Sequence, residues 1–411
     1  MGPVRLLPPL RTRVGGLPAD FHRLWAGNAI SNVGDGASLA AAPLLLAALT
    51  RDPRLIAGAV AVSQVPALLL SLPAGVLVDR LDKRHICMTA DAVRTVSTGA
   101  LALLVGLGRA PIPLVYLLLL VEGTASIADR TAGQALLPAL VDADHLPRAN
   151  ARLQGSSTLF LFLVGPPLGA GLFLTAHWTP FAVDAGSFLL SLLMYARIRW
   201  REAARTPTNQ SVWGGVRTGM RWLWDHRALR TLAICICVMN LTFGGVFAVL
   251  VIYTQRQLHA GAGGYGALLT ATAIGGLVGS AVAAPLERRF GMTPLLRVGL
   301  TVEALTHVGL ALSHTLLAAY LVLLAFGVHG VLWNVVTSSL QQRVTPAELR
   351  GRTSGSYALF SLGGHAVGAF LGGVFVSAWG ITAPFWISGV VVGLLVVIAW
   401  RPFALTDAQA R

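Results

Sequence analysis

The sequence predicts an all-α membrane protein in which twelve transmembrane helices form two pseudo-symmetric six-helix bundles. Three observations carry that expectation. Of 411 residues, 55% are hydrophobic and 12% charged, with mean hydropathy +0.69, whereas soluble domains carry about a quarter charged residues. Twelve mostly apolar stretches have the length of about 20 residues that a bilayer-crossing helix needs. The basic residues fall between these stretches, alternately dense and sparse.

The spans are predicted at 24–49, 55–78, 85–107, 112–137, 150–174, 179–198, 229–254, 264–285, 293–312, 315–337, 353–378 and 382–400. Residues 1–23 are read as a cytoplasmic N-terminal segment, 24–198 and 229–400 as the two bundles, 199–228 as a cytoplasmic linker and 401–411 as a cytoplasmic tail. Orientation follows from Lys and Arg, which remain in cytoplasmic loops. With the N-terminus inside, one side takes 27 of the 31 basic residues, Arg94 included; the other keeps Arg51, Arg54, Arg109 and Arg256. In the linker, Trp213, Val216, Met220, Leu223 and Trp224 recur at helical spacing among Arg217, Arg221 and Arg227. This pattern predicts an amphipathic helix on the inner membrane surface.

The halves echo each other. Val141, Leu146, Gly165 and Gly169 recur as Val344, Leu349, Gly368 and Gly372, each 203 positions on. Asp79–Arg80 after span two likewise recurs as Glu287–Arg288 after span eight. Parallel six-span repeats are a transporter architecture, with a small-molecule site near the midplane between the halves.

Several function classes are excluded as expectations. The net charge of +14 rests on thirty arginines and one lysine in short inter-span segments, which is topology rather than a nucleic-acid face. Cys87, Cys235 and Cys237 lie in or beside apolar runs, without disulfide or metal spacing, so no metal or other cofactor is expected. Met1 to Arg23 has four arginines and no sustained apolar core, so no cleavable signal is expected. Lys83 is the single lysine and lies in no phosphate-binding loop. No nucleophile–base set stands out, so no enzyme is predicted. The remaining energy source is an ion gradient: one charge crossing 100 mV is worth about 2.3 kcal/mol, enough for roughly a 40- to 50-fold concentration ratio.

Ionisable residues within spans cost at least about 2.5–3.5 kcal/mol at the bilayer centre and are functional candidates by default. Asp35 lies mid-way along span one, Glu122 along span four and Glu303 along span nine, with His307 one turn after Glu303. These four are the proton-coupling candidates, since burial favours the neutral form of a carboxyl. Asp91 and Arg94, three apart on one helix, read as an ion pair associated with the cytoplasmic loop. Asp184 reads as an interfacial residue, and His329 and His365 as packed, neutral residues. Asn28, Asn32, Gln64, Trp333 and Asn334 are candidates for a polar-aromatic substrate cavity.

The segment Pro73-Ala-Gly-Val-Leu-Val-Asp-Arg-Leu-Asp-Lys-Arg84 packs five charges of mixed sign into six residues. It resembles the loop between spans two and three of the major facilitator superfamily. Gly75, Asp79, Arg80, Asp82, Lys83 and Arg84 match that motif, with Asp82 in place of the commoner glycine. The resemblance implies the major facilitator fold and a cytoplasmic gate. In that gate Asp79 holds the start of span eleven and the basic residues pair with acids such as Asp129. Val164-Gly-Pro-Pro-Leu-Gly-Ala-Gly171 resembles the span-five motif of the superfamily's drug/proton antiporters, through Gly165, Pro166, Pro167 and Gly169. Leu161 and Ala170 depart from its fuller pattern. Phe21 to Gly36, Gln134 to Asp142 and Arg148-Ala-Asn150 further resemble the macrolide-efflux and siderophore-exporter branch. Together these imply a monomeric, proton-coupled exporter of lipophilic drugs or secondary metabolites in a bacterial cytoplasmic membrane. The competing readings are a solute/proton symporter importing a nutrient and a non-transporting membrane sensor or scaffold.

Overall fold

A computed structural model describes residues 16–199, 212–346 and 349–404, and every regular element among them is helical. Spans one to six are Ala19–Leu49, Pro53–Arg80, Lys83–Gly106, Ile112–Leu140, Ala143–Thr175 and Thr179–Ala196. Spans seven to twelve are Arg227–Arg256, Ala262–Phe290, Met292–Leu312, Leu316–Val344, Arg350–Trp379 and Ala383–Ala404. Twelve of the helices are long and apolar enough to cross a membrane, and the chain is a multi-pass membrane protein. Several outrun the predicted apolar stretches on the side of the chain termini. Span five starts at Ala143 rather than 150, and span ten ends at Val344 rather than 337. A 30-residue helix is about 45 Å long against a hydrocarbon thickness of about 30 Å, so its charged end projects into the headgroups and beyond.

Where the two halves meet is legible from their cores. On the face opposite the termini, one continuous apolar cluster joins them. It includes Leu44, Leu45 and Ile56 from the first half and Val249, Tyr253, Tyr265 and Phe385 from the second. Arg54 at the start of span two donates to Ser377 Oγ near the end of span eleven, 2.9 Å away, and Arg256 donates to the Arg51 carbonyl, also at 2.9 Å. On the termini face the cores are separate. One contains Phe21, Leu24, Ile86 and Leu136; the other contains Leu232, Leu296, Leu340 and Val392. Among the described residues, the apolar core shared by the two halves therefore lies at one face only.

Glycine sets the helix spacing inside each half. Gly36 of span one lies against the Leu161 carbonyl and Gly165 of span five, and Gly169 lies against the Ala37 backbone. In the second half Gly368 meets the Leu241 carbonyl of span seven and Gly372 meets Gly245. The glycines that recur 203 positions apart thus perform the same close approach, span one to five and span seven to eleven. Without a hydrophobic driving force between helices in lipid, such backbone-to-backbone packing is a main source of association. The prolines at 166 and 167 sit just after a stretch of wider, π-helical turns, Thr158–Val164. Span five is therefore locally unwound and not merely kinked, a feature that proline spacing does not announce.

The linker helix, Val212–Asp225, is partly a protein contact rather than only a membrane-surface helix. Gly219 lies against the Arg352 carbonyl at the start of span eleven, Leu223 is buried, and the Trp224 ring stacks on Phe360 at 6.0 Å. The side chains of Trp213 and Val216 lie outside the described residues.

A branched side chain at Gly169 would bring its Cβ to 2.6 Å from Ala37 Cα, whereas Gly171 has open space around it. Gly169→Val is expected to destabilise the first half by about 1–3 kcal/mol, as overpacking does. Gly171→Ala is expected to be neutral. Thermal unfolding of the two purified variants in detergent checks the contrast.

Candidate functional site

Arg94, eleven residues into span three, is 1% exposed and sits in the interior of the first half. It was counted above with the termini-side charges, but it is not a topogenic residue. Arg130 likewise lies inside span four, which leaves 25 basic residues on the termini side against four. The two cations differ in setting: Arg130 is exposed and lines a cavity, whereas Arg94 is enclosed.

All three guanidinium nitrogens of Arg94 are engaged. Nε donates to Glu122 Oε1 at 3.1 Å, Nη1 to Ser31 Oγ at 3.2 Å, and Nη2 to Asp35 Oδ1. Asp91 Oδ1 is 3.7 Å and Asp129 Oδ2 3.9 Å from Nη1. The ring of Phe188 covers the guanidinium carbon at 3.8 Å. Four carboxyl groups from spans one, three and four thus converge on one cation. Asp91 and Asp129 are enclosed with it, and neither Asp91 oxygen has a hydrogen-bond partner. The expected Asp91–Arg94 pair is present, but as part of a single network that also includes Asp35, Glu122 and Asp129. A count of depth would have signalled it: a lone arginine eleven residues inside a span has no water to reach, so its partners must be intramembrane acids.

Beside the network lies a cavity of about 310 Å³. Asp35, Gln64, Glu122 and Asp184 supply polar lining, and Phe162, Phe181 and Phe247 supply aromatic lining. Of the five expected cavity residues only Gln64 is there. Asn32 Nδ2 donates to the Asn28 side chain at 2.9 Å and to Ser157 at 3.2 Å, which ties span one to span five. Trp333 is packed in the second-half core, and Asn334 donates to its own helix at Gly330. Helix rotation, which decides these placements, is not encoded in any local pattern.

Asp184 is not interfacial. It is 1% exposed, lines the cavity, and accepts a hydrogen bond from Ser38. In the second half Glu303 bridges two imidazoles, with His307 Nε2 at 3.5 Å and His329 Nε2 at 3.1 Å, all three buried. His329 is therefore a hydrogen-bonding partner of Glu303 and not a bystander. His365 packs beside Phe243 and Phe247. No group of three or more His, Cys, Asp or Glu side chains among the described residues is arranged to hold a metal.

The loop motif resolves in part. The side chains of Gly75, Asp79 and Arg80 lie outside the described residues. Asp82 caps span three by accepting from the His85 amide at 3.0 Å. Slight burial raises its pKa, but the His85 amide and imidazole outweigh that and hold the carboxyl below its usual value. Among the described residues Arg84 does not meet an acid. It donates to the carbonyls of Tyr195 at 3.0 Å and Ala196 at 2.6 Å, the last turn of span six, where a cation complements the helix dipole. Arg297 does the same for span twelve, donating to the Trp400 carbonyl at 2.7 Å. Lys83 is buried.

The profile of the transmembrane secretion effector family, one of the major facilitator families, matches residues 7–411. The chain belongs to that family. The multidrug efflux pump Tap of Mycobacterium tuberculosis is 27% identical over 368 residues, covering 86% of each chain. Tap of Mycolicibacterium fortuitum is 26% identical over 359 residues, covering 82% of this chain and 84% of its own. A variant of the nucleoside transporter NupG superposes with a TM-score of 0.78 at 10% identity, covering 94% of this chain and 99% of its own. That likeness shows the fold alone. This family member is a membrane transporter and not an enzyme.

Removing the cation from the network leaves enclosed carboxylates with no counter-charge. Arg94→Met is expected to lower stability by about 3–5 kcal/mol, as breaking a buried ion pair does. Adding Asp35→Asn and Asp129→Asn is expected to recover part of that loss. Yield and thermal unfolding of the single and triple variants check this; a single variant as stable as wild type would contradict the network.

Proposed function

We propose that the protein is a proton-coupled exporter of small lipophilic compounds, working by alternating access as an antiporter in a bacterial plasma membrane. One observation carries the reading. Five carboxyl groups, Asp35, Asp91, Glu122, Asp129 and Asp184, lie in or beside the network and cavity, against two guanidinium groups, Arg94 and Arg130. That is an excess of three negative charges in an apolar bundle, where an uncompensated ion is very costly. Protons are the counter-charges that can be taken up and given away in a cycle. Asp35 and Glu122 line the cavity and also touch Arg94, so a proton lost or gained there is felt by substrate and network alike. Glu303 with His307 is a second candidate pair for proton handling, enclosed in the other half.

Direction and orientation rest on separate support. The excess of basic residues on the termini side favours cytoplasmic termini. With that orientation the face with the shared core is external, and the separate cores on the other face describe an inward-facing conformation. Export is favoured by the span-five motif at Gly165–Gly169 and by the efflux pumps among the relatives.

The test uses everted membrane vesicles with an acidic lumen and a panel of lipophilic antibiotics and dyes. Accumulation that collapses with a protonophore, and falls at least about tenfold (~1.4 kcal/mol) in Asp35→Asn, is the expected result. Proton-driven movement only in the opposite sense would overturn export in favour of nutrient uptake. No proton-dependent movement of any compound by well-expressed protein would overturn the reading altogether.

A further inference from the structure

Of the three carboxyl groups that line the cavity, Asp35, Glu122 and Asp184, the last forms no ion pair among the described residues. Asp35 and Glu122 are bound to Arg94. Asp184, on span six, is 1% exposed and lines the same cavity, and its partners are hydroxyls. Ser38 Oγ donates to Oδ2, and Ser187 Oγ lies 3.5 Å from Oδ1. Among the described residues no Lys, Arg or His forms an ion pair with it; Arg94 pairs with the other acids. A hydroxyl can orient a carboxylate but cannot cancel its charge, and an isolated buried carboxylate is costly. Much of the rest of the wall is apolar, with the rings of Phe162 of span five, Phe181 of span six and Phe247 of span seven, interrupted by Gln64, Thr98, Arg130 and several serines. Aromatic faces attract cations, the more so away from water. The volume of about 310 Å³ is at the small end of the range for drug-sized sites.

We propose that this cavity binds organic cations and that Asp184 meets their positive charge. The inference deepens the exporter reading above and rests on it. The division of labour is physical: Arg94 already engages Asp35 and Glu122, so Asp184 is the acid left for a ligand. The cation's apolar body lies against the three phenylalanine rings, with Phe247 bringing the second half into the site. An anion of the same shape would meet three lining carboxyl groups against the one lining guanidinium of Arg130.

Equilibrium binding to the purified full-length protein in lipid nanodiscs tests this with two ions of nearly equal shape and opposite charge, tetraphenylphosphonium and tetraphenylborate. The phosphonium is expected to bind at least about tenfold tighter than the borate. Asp184→Asn is expected to lower phosphonium affinity about tenfold, and Asp184→Glu, which keeps the charge, to retain most of it. Equal binding of the two ions, or undiminished phosphonium binding by a folded Asp184→Asn, overturns the proposal. Should Asp184→Asn fail to fold, the ion pair of probes on wild type and the Glu variant still decide. The two readings fail separately. Proton-driven export of uncharged compounds without phosphonium preference overturns the cation site and leaves export standing. Phosphonium binding through Asp184 without proton-driven movement supports the cation site and overturns export.

Discussion

A single guanidinium buried in an apolar bundle is the constraint around which the first half is organised. Arg94 cannot shed its proton or reach water, so spans one, three and four must bring it hydrogen-bond acceptors. They bring more negative charge than it can neutralise. Ser31 and the face of Phe188 complete its shell without adding charge. The interior is thereby solvated by protein yet left electrically unbalanced, and that imbalance underlies the proposed use of protons.

The second constraint is steric. Span one carries Asp35 and is held against span five through Gly36, Gly165 and Gly169, with the π-helical turns of span five beside the contact. Any change in the position of Asp35 is therefore a change in span five, and span five packs against span eight of the other half. The corresponding glycines of spans seven and eleven give the second half the same rigidity. Two stiff halves, joined by one shared core at one face, are suited to rocking about that face. The linker helix rests on the opposite end of span eleven, where such motion would be largest.

Much of this was legible in the sequence. Span number and position follow from apolar length, because a continuous apolar stretch of about 20 residues satisfies its own backbone in lipid as a helix. The repeat was visible because Gly165, Gly169, Gly368 and Gly372 occupy positions where only a missing side chain permits contact. Asp35 and Glu122 were found because intramembrane charge is expensive enough to need a reason. What escaped detection is rotational. Asn28 and Trp333 face neighbouring helices rather than the cavity, and Asp184 and His329 face inward rather than lipid or bland packing; each depends on a helix azimuth that one sequence does not fix. Arg84 misled for a different reason: a basic residue near acids in sequence satisfied helix-end carbonyls instead.

The proposed surplus of carboxyl groups over cations can be measured without any substrate. Infrared spectroscopy of the purified protein in lipid at neutral pH detects the C=O stretch of protonated carboxyl groups, which carboxylates lack. If protons balance the network, wild type shows this band, and it weakens in Asp91→Asn and Asp129→Asn. A spectrum without protonated carboxyl groups in folded, active protein would contradict the charge account on which the proton-coupled mechanism stands.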